Sequence, residues 1–421
     1  MDSTEYENDK KSCRKRVVFR SEPGNSVNPE GAHVILMKTE VKIRSEIGIE
    51  SPARSKNIVE EYVKQLKLDL SGLVVLTEAA SGNYIYTPLI AAIADARKVI
   101  ALTRDSRYGK ARDMTENTHL AARYFGIEKK RIQIVESLSP KIIGKADIVT
   151  NLGFLRPIDK QFISNLKPTA VMSLMYATWE FREEDLDLRE CWKKGVPVLG
   201  TNEQHEVLRI FDYIGHLCLK ILLEAEVEVF RSKIILVGDN DFGRNIVRTL
   251  SAAGAEILWV TNASGGEVKK LGGTKIGCNL KELSVQNSLR NCDAIIVNAY
   301  PDRSVVIGKY GDISSRRLKK LAPGTTVIQL NGLIERESLD MLGVACLPTK
   351  EPRIGHMGWT LAYLGPKPVI ALNSGGLKVG ELLARARLKG LSRGQAEQEA
   401  LKNHICQDFS LAQHKKYESY S

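Results

Sequence analysis

Lys233 to Thr261 reads KIILVGDNDFGRNIVRTLSAAGAEILWVT, and the reading of this stretch decides the fold. Ile234 to Val237 form an apolar run that ends at Gly238, the pattern of a buried strand running into a tight turn. From Gly243 to Ala253 the apolar residues Ile246, Val247 and Leu250 fall at helical spacing, and after Gly254 a second apolar run covers Ile257 to Val260. Strand, turn, helix and strand make a βαβ unit. Its turn and helix N-terminus are where backbone N–H groups receive the pyrophosphate of a dinucleotide.

The glycine fingerprint for that task, G-x-G-x-x-G, is met at Gly238 and Gly243 and broken at Asn240, with Asp241 and Phe242 completing the turn. A side chain at position 240 keeps a diphosphate further from the backbone than glycine would. At the end of the second strand an NAD site usually offers a carboxylate to the ribose, and Thr261 and Asn262 stand there instead. With Lys269 and Lys270 close by in sequence, the expected cofactor is NAD or NADP. The plain alternative is a βαβ unit that has kept its fold and lost its ligand.

A chain of 421 residues exceeds what one hydrophobic core usually organises, so two domains are expected. With 43% hydrophobic and 26% charged residues it reads as a soluble globule. The cysteines Cys13, Cys191, Cys218, Cys278, Cys292, Cys346 and Cys406 are scattered and odd in number, without C-x-x-C. That points to reduced thiols in a cytoplasmic protein, with no disulfide framework and no metal site. The N-terminus lacks the apolar segment of a secretory signal, and no apolar run approaches the roughly 20 residues of a membrane helix. The net charge of +11 is spread along the chain among Asp and Glu, which reads as a basic surface and not as a nucleic-acid site.

Residues 1–55 form a polar extension; within it KKSCRKR at 10–16 is a solvated cluster, and HVILMKTEVKI from His33 alternates like a strand. Residues 56–205 then alternate strands (SGLVVLTEA, KVIALTRDS, RIQIVES, ADIVTNLG, TAVMSLM, VPVLGTN) with helices (NIVEEYVKQLKL, TPLIAAIADA, TENTHLAARYFGI). Such alternation implies a parallel sheet covered on both faces, an α/β substrate domain. In its EAASGNYIYTP loop, after a strand, Glu78, Ser81, Tyr84 and Tyr86 are candidate substrate contacts, since ligands of open α/β sheets bind at the carboxyl ends of strands. The loop, with RDSRYG and Asn151 to Phe154, is faintly similar to the nucleoside site of a methyltransferase; a tight turn with tyrosines packed at its edge explains it equally well. A long helix from Glu206 to about Val227 crosses at 206–229, a Rossmann dinucleotide-binding domain follows at 230–350, and 351–421 is a return segment. Ser374 to Gly376 read as a glycine-rich turn before a helix, and the last stretch as a polar C-terminal helix with a loose end.

In this order of elements, from roughly Leu73 to Leu377, the chain resembles the D-isomer-specific 2-hydroxyacid dehydrogenase superfamily, of the formate and glycerate dehydrogenase type. GDNDFGRNIVRTLSAAGAEI is also similar to the adenosylhomocysteinase branch, which has the same plan. The resemblance implies an α/β fold of two Rossmann-like or flavodoxin-like domains with parallel sheets and a cleft between them, and a homodimer. It implies that Asn298, Ala299 and Pro301, in CDAIIVNAYPDRSVVIG, line a nicotinamide. In LKKLAPGTTVIQLNGLIERESL the family's substrate-binding arginine precedes a glycine; here Asn331 precedes Gly332, so a hydroxy acid's carboxylate loses its bidentate partner. EPRIGHMGWT is similar to a compressed form of the family's Glu-Pro and His-Ile-Gly stretch, which makes His356 the general acid/base, Glu351 its orienter and Arg353 the replacement guanidinium. Two classes of function follow. One is an NAD(P)-dependent oxidoreductase closing over a small polar substrate, in a biosynthetic pathway. The other is a ligand-binding or assembly protein on a degenerate scaffold; an enzyme using S-adenosylmethionine or a nucleoside through the first domain is a further alternative.

Overall fold

The computed structural model describes residues 29–299, 304–352 and 356–409. The first sheet is built from β1 (Val74–Glu78), β2 (Lys98–Leu102), β3 (Ile132–Val135), β4 (Ile148–Thr150), β5 (Val171–Ser173) and β6 (Val198–Thr201). These six are mutually parallel, in the order β3-β2-β1-β4-β5-β6. A sheet covered on both faces has no polar side, which is why all five residues of β1 are buried.

The second sheet holds β7 (Lys233–Val237), β8 (Glu256–Val260), β9 (Thr274–Gly277) and β10 (Ala294–Asn298). The short β11 (Val305–Ile307) leaves the sheet to pair with β13 (Leu333–Ile334), while β12 (Thr326–Asn331) and β14 (Cys346–Leu347) complete it. The order is β9-β8-β7-β10-β12-β14, again with every pair parallel. In chain order this is 3-2-1-4-5-6, the doubly wound arrangement in which the direction of sheet growth reverses between the first and fourth strands. The first sheet follows the same order, so both domains are Rossmann-like. Last comes β15 (Cys406–Gln407), which pairs antiparallel with β6 at the edge of the first sheet. The expected polar C-terminal helix runs over Arg393–Leu401 and is followed by this strand; residues beyond 409 lie outside the described ones.

The βαβ reading of the opening stretch holds: β7, a helix at Asp241–Ala252 and β8 occupy the expected places. Three local expectations do not. The alternating stretch from His33 is part of a helix, Pro29–Ile47, that packs against the helix Ala111–Tyr124. Ile43 and Ile49 enter the core at 1% and 6% exposure, and burial of that apolar surface outweighs a short period-two pattern. The crossing helix begins only at Asp212 and ends at Glu224. Ser374 to Gly376 are no turn but the middle of a 23-residue helix, Pro366–Leu388, laid across the first sheet. A Cβ on Gly375 would lie 2.6 Å from Leu208 Cδ1, and one on Gly376 2.1 Å from Met175 Sδ. The glycines let the helix axis approach the sheet, a packing demand that looks like turn chemistry in sequence. Among the described residues, no helix is long and apolar enough to cross a membrane.

Candidate functional site

Two strand-order reversals create two ligand-competent crevices. In the second domain the crevice opens after β7. Gly238 has φ +134°, a region that side chains rarely enter, and a Cβ there would sit 2.0 Å from the carbonyl oxygen of Asn298. The turn is therefore backbone pressed on backbone. Asn240 then caps the helix, its Oδ1 accepting from Phe242 N at 3.1 Å, while its carbonyl accepts from Gly243 N at 3.0 Å. Its amide nitrogen donates to the Asn298 carbonyl at 3.1 Å; Asn298 Nδ2 donates to Asn240 Oδ1 at 2.6 Å, and Asn331 Nδ2 to Asn298 Oδ1 at 3.3 Å. Three asparagines thus tie together the carboxyl ends of β7, β10 and β12. Asn298 and Asn331 are buried, so the position where the resemblance puts an arginine carries a structural amide.

Gly243, the last glycine of the fingerprint, lies under Trp259; a Cβ would come 2.4 Å from Cζ2 of the indole. Trp259 Nε1 donates to the Gly238 carbonyl at 2.8 Å, so the tryptophan of β8 fixes the turn. At the tip of β8, Thr261 and Asn262 do not stand in for a missing carboxylate: they hold one. Thr261 Oγ1 and Asn262 N donate to Asp239 Oδ1 at 2.5 and 3.1 Å, and Asn262 Nδ2 to Oδ2 at 2.7 Å. Partial burial of Asp239 opposes ionisation, but these hydrogen bonds outweigh it and keep the carboxyl below its ordinary range. An ionised acid is thereby delivered to the corner at the tips of β7 and β8 from the first strand's loop instead of the second strand's end. Sequence reasoning looked for it only at the latter. Lys269 and Lys270 are exposed in the last turn of the helix Gly265–Lys270.

The first-domain crevice lies between β1 and β4. Glu78 is buried; burial raises its carboxyl, offset by the Phe154 amide that donates to Oε2 at 2.8 Å and by the Arg156 guanidinium nearby. Ser81 precedes a single 3₁₀ turn, Gly82–Ile85, that directs Tyr84 to the return segment, where its hydroxyl bonds Thr360. Asn83 Nδ2 donates to the Ala362 carbonyl at 2.8 Å, a second tie to that segment. Tyr86 is different. It is fully buried and its hydroxyl donates to Ser55 Oγ at 2.9 Å, inside the core; the substrate contact expected of it is replaced by a packing role. Asn151 and Tyr176 each keep a buried polar atom, Nδ2 and the hydroxyl, without a hydrogen-bond partner among the described residues.

Of the family-derived trio, His356 is exposed on the return segment beyond β12. Two residues on, Gly358 N donates to the Leu330 carbonyl at 2.9 Å, and Met357 and Trp359 pack on the second domain's core. Glu351 is exposed before that anchor; Arg353 and Pro301 lie outside the described residues. Ala299, just past β10, is buried beside the Gly332 backbone.

The domains meet through aromatic rings, of which the sequence singled out only Phe242, and that for the cofactor turn. Phe242 is in edge contact with Phe211 at 4.8 Å and with Trp179 of the first domain at 5.9 Å. Beside them a cavity of about 470 Å³ is lined by Ala177, Trp179, Glu203, Phe211, Asn240 and Phe242, among others. Glu203, just beyond β6, is 4% exposed, accepts from Ala177 N at 3.1 Å and is hydrogen-bonded to the carboxyl of Glu180. Burial, then the neighbouring Glu180 charge, pushes Glu203 well above the ordinary range; Glu180 is raised by burial, less so because Glu203, Arg182 and Arg156 favour its anion. Arg156 itself pairs with Asp185 at 2.8 Å. The only signal in the sequence was a carboxylate directly after a strand, in GTNE.

No family model matches this sequence, and no curated protein does. Among solved structures the chain is similar to a dipicolinate synthase subunit from Bacillus halodurans, with a TM-score of 0.50 and 14% identity over 75% of this chain and 99% of that one. It is likewise similar to dipicolinate synthase from Bacillus subtilis, with a TM-score of 0.51 and 12% identity over 77% and 99%. D-lactate dehydrogenase with NAD+ from Lactobacillus jensenii aligns over 75% and 97% at 13% identity, with a TM-score of 0.42. At such identities the likeness concerns architecture: this chain shares the fold of those dipicolinate synthase chains.

Proposed function

We propose that the protein is an NAD-dependent oxidoreductase that acts on a small polar substrate in the cleft between its domains. The observation that carries this reading is the Gly238 turn with its ionised Asp239, set at the strand-order reversal of the second sheet. A dinucleotide fits there in two respects. Gly238 adds no side chain to the turn, its own N–H and carbonyl being taken by Val260 and Trp259, and Asp239 offers acceptors for ribose hydroxyls. Asn240 modifies the fit, since its side chain already occupies the Phe242 amide and its carbonyl the Gly243 amide, which leaves the diphosphate to the rest of the turn. The Asp239 charge opposes a 2′-phosphate, which favours NAD over the NADP that Lys269 and Lys270 suggested. Bound nicotinamide would supply hydride exchange; Asn298 and Ala299 would face it from the end of β10.

The chain's own groups do the rest. Tyr84 is bonded to Thr360 of the return segment, and Glu78 lies close enough to act on it. His356, on the same return segment, is placed to exchange protons with solvent. The aromatic contact of Trp179 with Phe242 keeps water from one side of the cleft. Because Asn331 is locked to Asn298, the substrate is not held by the guanidinium of simple 2-hydroxy-acid enzymes, which supports a different class of substrate. The likeness to dipicolinate synthase supports a biosynthetic one. A homodimer belongs to the same reading and is checked by light scattering. The central test is titration of the purified chain with NADH and NADPH, followed by nicotinamide fluorescence: NADH should bind and NADPH more weakly. Binding of neither would end the redox reading and leave a ligand-binding scaffold.

A further inference from the structure

Two carboxyl groups in hydrogen-bond contact need a proton between them. Glu203 lies two residues past β6 and Glu180 closes a 3₁₀ turn, Thr178–Glu180, in the loop after β5, so neither helical spacing nor a local turn brings them together. Their surroundings are arranged around one negative charge. Arg182 and Arg156 act on Glu180, whereas Glu203 has the Ala177 amide and otherwise faces the cavity beneath Trp179, Phe211 and Phe242. Several elements around the pair carry ionisable groups. The Glu180 charge reaches Tyr84 from the β1 loop and Tyr176 from the β5 end, Asp185 lies beyond Arg156, and Asp241 closes the cavity from the second domain. Only Glu203 both lines the cavity and touches the other carboxyl. A pair of one buried and one half-buried carboxyl that merely held the fold together would not need to open onto a space of about 470 Å³ between two domains.

We propose that the Glu180–Glu203 pair is the proton-bearing group of the interdomain cavity, and that the cavity takes a small compound whose C=N or C=O group meets Glu203. This deepens the oxidoreductase reading and rests on it for the fate of that compound, but not for the proton. In the step itself the O–H bond of the pair breaks and an N–H or O–H bond forms on the ligand. The pair is left as two carboxylates facing Arg182 and Arg156, and the ligand gains one positive charge, or neutralises one negative charge as it develops. The ligand's apolar side lies on the aromatic wall, and its cationic form is favoured by the ring faces and by Asp241.

The test needs no cofactor. Infrared spectroscopy of the full chain at pH 7 should show a protonated-carboxyl stretch that disappears in Glu203→Gln and in Glu180→Gln. Addition of 1-pyrroline, a cyclic imine, or of pyruvate should shift or bleach that band in the wild-type protein, and neither probe should change the spectrum of Glu203→Gln. Circular dichroism of both variants reports whether they fold, and Asp185→Asn, outside the pair, should retain the band. A protein without the band at pH 7, a band that survives both substitutions, or a band indifferent to both probes overturns the proposal. NADH fluorescence on the same samples is read separately: its absence with the band and its ligand response intact rejects the redox reading alone.

Discussion

Substituting Gly243 by Ala tests whether the fingerprint glycine serves the fold or the ligand. The added methyl would lie 2.4 Å from Trp259 Cζ2 and 3.1 Å from Cε2. Trp259 is 1% exposed, so the ring has no solvent to move into. Overpacking of this kind costs about 1–3 kcal/mol. If the indole moves, its bond to the Gly238 carbonyl breaks, and leaving that buried N–H unsatisfied costs about 1–3 kcal/mol more. Replacing a helical glycine returns about 0.5–1 kcal/mol, because alanine loses less backbone entropy on folding. The net expectation is a loss of about 2–4 kcal/mol from the second domain. With a urea m-value of about 1–3 kcal/mol per M for a domain of this size, the midpoint followed by near-ultraviolet circular dichroism should fall by roughly 1 M or more. Nicotinamide binding should weaken in parallel, since the turn moves with the ring. The decisive control is Trp259→Phe, which removes the atoms that clash: in that background Gly243→Ala should cost at least about 1 kcal/mol less. A midpoint unchanged by Gly243→Ala, or the same loss with and without the indole, would refute the packing account.

The other expectations are brief. Because the folded protein keeps Glu203 protonated above its ordinary value of 4.5, stability is complete below that pH and declines as pH rises toward the folded-state value, by up to about 1.4 kcal/mol per pH unit; the isosteric Glu203→Gln should lack that slope in chemical denaturation between pH 5 and 8. Asp239→Ser should weaken NADH roughly 10-fold or more, the worth of a charge-assisted hydrogen bond, while NADPH binding holds or improves; equal losses for both cofactors would place Asp239 outside the ribose corner. Tyr86→Phe should cost about 1 kcal/mol through the lost bond to Ser55 and leave ligand binding untouched, so a binding defect in the folded variant would restore Tyr86 to the substrate site. Gly376→Ala should destabilise the first domain by about 1–3 kcal/mol, read as a lower melting temperature, since its methyl meets Met175 in a fully packed layer.

How far the sequence reached depended on whether the signal was local. The βαβ unit and the strands of the first sheet were legible because parallel strands buried on both faces read as continuous apolar runs, and nothing remote can change that. The segment from His33 was misread because its alternation was too short to compete with what Ile43 and Ile49 gain by docking on another helix. Gly375 and Gly376 were misread for a related reason: glycine demanded by a neighbour far off in the chain, here Leu208 or Met175, looks in sequence like glycine demanded by a turn.

The same asymmetry governs the candidate site. Residues that act through their own backbone, such as Gly238, could be placed from the motif alone. Residues that act through a partner could not, because the partner comes from another strand end. Asp239 acquires its meaning only when Thr261 and Asn262 arrive from the end of β8, and Glu203 only when Glu180 arrives from the turn after β5. The first sits where the adjacent parallel strands β7 and β8 end side by side, the second where the loop after β5 folds beside the end of β6, and a doubly wound sheet brings such places together however little their sequences share. In this fold the chemistry is therefore to be sought first in carboxylates at or just beyond the end of a buried strand. By that criterion Glu78, Asp239 and Glu203 stand out together, one at the end of each of β1, β7 and β6.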